Sequence, residues 1–374
     1  MGDWRSPPAT TSPRAARWPG SSLRRGYCVH VLRRICVASV SVLILSGLYF
    51  FYSPGGFAPD PDPYGGGAVT ILIWTHPFLV YEPLPDCSEQ FGIDGCVLTD
   101  DARQYRQVEA VLVHHREISS GAAALPPEPR PSAQKWIWMN YESPTHTHRT
   151  WLVDGAFNLT MSYRTDSDIF LPYGYLVPQA RSRAAGRAGA LSRPSRPRRR
   201  FVAWVISNWS ETHARVAFYY QLRRYIRIDV FGRAGRPLPK GAGSVVRVLG
   251  EYQLYLALEN SLHRDYITEK LWNAVRAGAV PVVMGPPRAN YERFLPPEAF
   301  IHVDDFPSVK QLARYLLALR RQPARIRRHL EWRRGYSLQQ PDFWGQHYCT
   351  ACRAVRRARG KTDVVRDLPR WFES

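Results

Sequence analysis

The chain has 374 residues, 45% of them hydrophobic and 22% charged; this excludes a peptide hormone, a disulfide-only miniprotein and wholesale disorder, and predicts two domains with full cores. The formal charge is +20, from 51 Lys and Arg against 31 Asp and Glu, so where the charges sit decides whether a polyanionic partner is implied. Seven Arg fall in residues 1–34 against one acid, Asp3, eight more lie in 179–200 with no acid, and about +6 is left for everything else; the excess reads as solvated tail and linker, and no nucleic-acid partner is expected.

Residues 35–52, ICVASVSVLILSGLYFFY, carry no charge over 18 positions, enough for a helix to cross a bilayer core of about 30 Å. A basic region of 34 residues precedes them and no small-residue cleavage site follows, which favours a transmembrane signal anchor over a cleaved leader. Arg24, Arg25, Arg33 and Arg34 lie before the span and Asp60 and Asp62 after it, placing 1–34 in the cytosol and the rest in the lumen. Pro and Gly in 53–67 read as a stem. Tail, anchor, stem and a large C-terminal part suggest a Golgi enzyme.

Apart from Cys28 and Cys36 near the anchor, the cysteines are Cys87, Cys96, Cys349 and Cys352. In an oxidising lumen the short spacings predict two local disulfides, Cys87 with Cys96 and Cys349 with Cys352; zinc held by all four thiolates is the rival. Of the two glycosylation sequons, Asn158-Leu159-Thr160 and Asn208-Trp209-Ser210, the first is the expected acceptor, because the second follows a strand in a loop assigned below to a ligand.

In chain order, β-branched and aromatic runs predict strands over 68–74, 108–114, 135–139, 201–206, 226–231, 254–258, 280–284 and 300–303. Helical patterns occupy 212–224, 266–277 and 308–320; in the last, Leu312, Tyr315, Leu316 and Leu319 form one apolar face. Alternating strands and helices predict an α/β protein with parallel sheets. The Arg-rich stretch 179–200 divides 68–178 from 201–374, so two doubly wound, Rossmann-type domains facing a cleft are expected. P-loop, dinucleotide, H-E-x-x-H and G-x-S-x-G motifs are absent from the sequence.

Chemistry concentrates after two strands. In 258–271, LENSLHRDYITEKL, polar and charged side chains cluster where a strand passes into a helix. Helix N-terminal amides, Lys270 and, from a helix after the preceding strand, Arg215 suit a phosphate, and a carboxylate in the same turn suits a ribose diol. A plain helix cap at Asp265 or Thr268 is the competing reading. After the strand ending at Met139, Glu142 could serve as a general base. His114 and His115 end another strand, where neighbours point to opposite faces, so no shared metal is expected.

The segments HHRE at 114, WMNYESP at 138, SYRTDSDIFLPYG at 162, LENSLHRDYITEKLWNA at 258, AGAVPVVMGPPRANYERFLP at 277 and FIHVDDF at 300 resemble the α1,3-fucosyltransferases of the animal Golgi in order and spacing. The resemblance covers 68–374, and the C-terminal half is similar to the myeloid-type members. It implies a GT-B-like fold, acceptor-binding domain first and GDP-fucose-binding domain second, behind a single transmembrane helix. The implied reaction is inverting transfer of L-fucose from GDP-β-L-fucose to the 3-hydroxyl of GlcNAc in N-acetyllactosamine-type (Galβ1,4GlcNAc) glycans of glycoproteins and glycolipids. It implies Glu142 as base, Arg215 and Lys270 on the diphosphate, Glu269 on the ribose, Glu259, Asn260 and Tyr266 in the nucleotide and fucose pocket, and Ser207 and Asn208 on its wall. His115, Arg116 and Glu117 fall at the acceptor; Arg116, where relatives acting on type 1 chains carry Trp, points to type 2 chains and Lewis x-type products. Protein cations carry the leaving-group charge, so no cofactor and no metal site are required, with metal stimulation left open. Members read F-E-N where this chain reads Leu258-Glu259-Asn260, a loss of a ring expected to weaken donor binding. The alternative is a catalytically weak, glycan-binding member, which the surplus of Trp (12) and Tyr (20) would suit.

Overall fold

The computed structural model describes residues 67–179 and 198–374. The tail, the expected span 35–52, nearly all of the stem and most of the Arg-rich stretch lie outside the described residues; within them no helix is long and apolar enough to cross a membrane.

Thirteen described strands, β1 (Val69–Ile73), β2 (Cys96–Thr99), β3 (Ala110–His114), β4 (Lys135–Met139), β5 (Leu159–Ser162), β6 (Ile169–Phe170), β7 (Tyr175–Pro178), β8 (Arg200–Val205), β9 (Asp229–Phe231), β10 (Tyr252–Leu258), β11 (Val280–Met284), β12 (Ile301–His302) and β13 (Tyr336–Gln339), form three sheets. The α-helices are α1 (Cys87–Phe91), α2 (His115–Ser120), α3 (Ala214–Leu222), α4 (Ser244–Leu249), α5 (Glu269–Ala277), α6 (Arg288–Tyr291), α7 (Val309–Arg320), α8 (Pro323–Arg328), α9 (Gly345–Arg357) and α10 (Leu368–Glu373).

The first sheet has the order β2-β1-β3-β4-β5-β6 and the second β12-β11-β10-β8-β9, every pair in both being parallel. Strands such as β3 and β4 are buried on both faces, which is why they read as unbroken apolar runs. All eight expected strands are present, with 226–231 trimmed to Asp229–Phe231 and 300–303 to Ile301–His302. Helix α7 packs Leu312, Leu316 and Leu319 against Val202, Leu254, Leu256 and Val282 of the second sheet, as its apolar face dictates.

Two expectations are corrected. The sequence places residues 345–374 with the second domain, but α9 and α10 return to the first sheet, where Tyr348, Ala351, Val355 and Phe372 join the core around Val69, Ile137 and Trp138. The return runs beside an antiparallel ribbon in which β13 pairs with β7. The disulfides are not local: Cys87 bonds Cys349 and Cys96 bonds Cys352. Helix α9 presents its two cysteines three residues apart, on one face and fully buried, so each meets its own partner at the start of α1 or of β2.

Candidate active site

In the second sheet the chain passes from β8 to β9 on one side and returns to β10 on the other, so the strand order reverses between β8 and β10. A crevice opens at the carboxyl ends of such strands, and the segments leaving them carry Arg215 and Lys270. Arg215, in the first turn of α3, is 5% exposed. One guanidinium nitrogen donates to the Asn208 carbonyl at 2.8 Å, Nε has no partner, and no carboxylate lies within ion-pair distance among the described residues. Burial lowers its pKa, while the fields of Glu259, Tyr266 and Glu269 oppose the shift. Lys270 Nζ donates to Thr268 Oγ1 at 2.8 Å and lies 3.1 Å from Glu259 and 3.3 Å from Glu269. Burial works against its charge, but the two carboxylates outweigh it and raise its pKa.

Glu259 is deeply buried. It is 2% exposed and accepts the Thr268 amide at 2.9 Å and hydroxyl at 2.8 Å; burial pushes its carboxyl up against the pull of Lys270. Its contacts are those of a residue that positions Lys270. Because Thr268 spends its hydroxyl on Glu259, it does not cap α5, and Asp265 lies outside the helix. Glu269 is exposed at the rim, Asn260 lies beside the buried Tyr266 hydroxyl, and Ser207 and Asn208 are exposed. Leu258, expected beside the nucleotide, is fully buried in the core with Leu254 and Val282.

Glu142 comes from the first sheet, three residues past β4. It is half-buried, its amide donates to Asn140 Oδ1 at 3.2 Å, and its carbonyl accepts from the Tyr163 hydroxyl at 3.3 Å. Its carboxylate has no hydrogen bond or ion pair among the described residues, yet its field reaches Tyr266 and His146. The loop is tied to itself through Asn140 to Thr147 and Thr147 to the Ser143 carbonyl, each 2.9 Å. It is also tied across the crevice: Ser261 donates to Ser143 Oγ at 2.6 Å, and Thr145 Oγ1 meets His263 Nε2 at 2.6 Å. His146 bonds Ser143 Oγ at 3.0 Å and stands edge-on to His213, 6.1 Å away.

A third tie was not read from the sequence. Asp265, at φ 59°, accepts from the Thr165 amide and hydroxyl of the first half at 3.0 and 2.7 Å, and from Asn290 and Arg293 of the second at 2.6 and 3.2 Å. Both SYRTDSD and RANYERF hold these partners, but only their juxtaposition shows the role.

The first sheet reverses order between β1 and β3, and the turn Pro77–Leu79 faces α2 there. Of the expected acceptor residues only Arg116 is exposed. His115 is buried and donates to the His148 carbonyl at 2.8 Å; Glu117 is buried between His114 Nδ1 at 2.5 Å and the Phe78 amide at 2.8 Å. The strand ends at His114, so His115 opens a helix instead of facing away on the same strand. Glu117 fixes the turn, and the Arg116 guanidinium lies 5.1 Å over the Phe78 ring. Phe78 also neighbours Trp344, whose ring is 5.6 Å from that of Tyr141, next to Glu142. Much of the aromatic surplus is spent elsewhere: Trp138, Trp204 and Trp272 are fully buried in the cores.

The profile "Fucosyltransferase, N-terminal" matches residues 66–174 and "Glycosyltransferase family 10 (fucosyltransferase) C-term" matches 195–371. The chain is 42% identical over 380 residues to alpha-(1,3)-fucosyltransferase 4 of Homo sapiens, covering 91% of this chain and 71% of that protein. It is 41% identical over 411 residues to the protein of the same name from Pan troglodytes, covering 99% and 76%. It is 47% identical over 306 residues to a 4-galactosyl-N-acetylglucosaminide 3-alpha-L-fucosyltransferase of Homo sapiens, covering 81% and 79%. The fold is similar to a crystal structure of an alpha1,3-fucosyltransferase with GDP-fucose, with a TM-score of 0.52 at 14% identity over 84% of this chain and 97% of that one. Two parallel sheets of GT-B-like arrangement, the crevice residues and these matches agree: the chain belongs to glycosyltransferase family 10, among the α1,3-fucosyltransferases.

Proposed function

We propose that the protein transfers L-fucose from GDP-β-L-fucose to the 3-hydroxyl of GlcNAc in Galβ1,4GlcNAc chains, with inversion, giving Lewis x-type structures. The observation that carries this is a buried Arg215 guanidinium without a carboxylate partner among the described residues, in the same crevice as Lys270, while Glu142 of the other half presents an unpaired carboxylate. A buried cation left uncompensated is costly unless an anion arrives, and a diphosphate supplies two. Glu142 takes the proton of the attacking hydroxyl as the oxygen bonds to fucose C1; the bond from C1 to the diphosphate breaks on the opposite face, and Arg215 and Lys270 receive the charge that develops on GDP. Glu259 holds Lys270 for that task, and Arg116 over Phe78 meets the acceptor, favouring type 2 chains. We place the enzyme in the Golgi membrane by the single span 35–52, with residues 53–374 lumenal.

The test is fucose transfer by the full chain from GDP-fucose to N-acetyllactosamine, beside Glu142→Gln and with lacto-N-biose as the type 1 acceptor. Transfer to the first acceptor, weak transfer to the second and collapse in the variant are expected. Tight GDP-fucose binding without transfer by the wild-type chain would make it a glycan-binding member of the family instead.

A further inference from the structure

All six strands of the first sheet run the same way, so the amino ends of β4 and β5 lie at the edge opposite Glu142. At that edge a cavity of about 280 Å³ lies between the sheet and the segment that ends α9 and follows it. Lys135, Asn158, Asp168, Arg357, Lys361 and Asp363 give it polar walls, with Leu159 and Ala358 between them. None of these residues serves the proposed reaction.

Asn158 is held in one orientation. Its Oδ1 accepts the Trp136 amide at 2.9 Å and Arg130 at 3.2 Å, and its Nδ2 donates one hydrogen to the Asp363 carbonyl at 2.8 Å at the exposed surface. The second hydrogen on Nδ2 has no partner among the described residues. Asn158 begins the sequon Asn158-Leu159-Thr160. The walls combine two carboxylates with three cations and small apolar side chains, so a free anion would meet Asp168 and Asp363 as well as the cations. A neutral ring with hydroxyls on its edge and C–H groups on its face satisfies all three kinds of wall.

We infer that this cavity seats the innermost GlcNAc of an N-linked glycan on Asn158, and that the sugar joins the segment 354–363 to the first sheet. The inference rests on lumenal exposure of this part of the chain. In the modification a polyprenyl-diphosphate oligosaccharide is the co-reactant: the bond from Nδ2 to GlcNAc C1 forms, the bond from C1 to the diphosphate breaks, the Nδ2 proton is lost and polyprenyl diphosphate leaves. Lys135, whose buried ammonium donates to the Lys361 carbonyl, already links the two walls, and the sugar extends that link to the rim.

The experiment uses the full chain made in a secretory host in a Ser210→Ala background, which removes the other sequon. Thermal unfolding is compared for the intact glycan, for a form trimmed by an endoglycosidase to one GlcNAc, and for a form cleared by an amidase. The first two should unfold together and the third lower by about 3 °C or more. Arg357→Ala with Lys361→Ala should narrow that gap, which a charge effect of the new aspartate at 158 would not do. Equal unfolding of all three forms, or a gap indifferent to the double variant, overturns the seat. So does an unmodified Asn158; if the Cys87 to Cys349 disulfide has nonetheless formed, lumenal exposure stands and only the seat fails, whereas reduced cysteines remove both.

Discussion

The Thr165 hydroxyl, from the half that carries Glu142, donates to the Asp265 carboxylate at 2.7 Å, and the same carboxylate holds Asn290 and Arg293 of the donor half. One buried acid thus ties the first half, through Thr165, to the segment 288–293 of the second. It sits at the residue before Tyr266, in a left-handed conformation that Asp and Asn tolerate better than other side chains.

Asp265→Asn keeps that backbone option but deprives Arg293 of its charge partner. We expect kcat to fall about tenfold, equivalent to about 1.4 kcal/mol, with GDP affinity changed less than about twofold, since Arg215 and Lys270 stay in the donor half. Calorimetric GDP binding beside transfer kinetics checks this; equal losses in both would show that Asp265 only supports the crevice.

Arg215→Met should separate stability from binding. Removing a buried charge that lacks a counter-ion leaves the unliganded protein as stable or more so, while GDP binding weakens by at least about tenfold. Thermal unfolding with and without GDP reads both; a large loss of stability without GDP would mean that Arg215 has a structural partner role.

His347 is enclosed by Tyr141, Phe343 and Trp344, with ring centroids at 4.6, 4.3 and 5.4 Å. Burial holds its pKa down at about 3. A histidine depressed from about 6.5 contributes stability that is full above that value and is lost as pH falls toward 3. Between pH 7 and 5 the loss is about 2 kcal/mol. Urea unfolding at both pH values should show it, and His347→Phe should remove that part of the slope.

The crossed disulfides predict a peptide map. Proteolysis without reduction, with cleavage between Cys87 and Cys96, should leave both of their peptides linked to the one peptide that carries Cys349 and Cys352, whereas local bridges would leave that peptide free. Each bridge closes a loop of more than 250 residues, so Cys87→Ser should cost about 2–5 kcal/mol, and adding Cys349→Ser should cost little more.

The turn beneath Arg116, proposed to meet the acceptor, offers a further check. Phe78→Ala removes the ring under Arg116 and should raise KM for N-acetyllactosamine severalfold while leaving the KM for GDP-fucose unchanged. A rise in the donor constant instead would move Phe78 out of the acceptor site.

The sequence by itself determined the strands that are buried on both faces, because their apolar runs have no other home in a folded domain, and it singled out Glu142, Arg215 and Lys270 as candidates through residue type, position after a strand and the resemblance to one family. It could not reveal β2, β5, β6, β7 and β13, which are short or only partly buried and so carry little periodic signal. Tertiary structure alone decided the pairings over long separation. The cysteines look local because spacing in the chain is all a sequence displays, but α9 folds back across the first sheet and brings residues more than 250 positions apart into bonding range. The same holds for the candidate site: the resemblance implies substrate roles for Glu259 and Glu117, and only the fold reveals that one contacts Lys270 and Thr268 and the other His114 and the Phe78 amide. A residue type limits the chemistry a side chain can do; which neighbour it spends that chemistry on is set by packing between segments far apart in the chain.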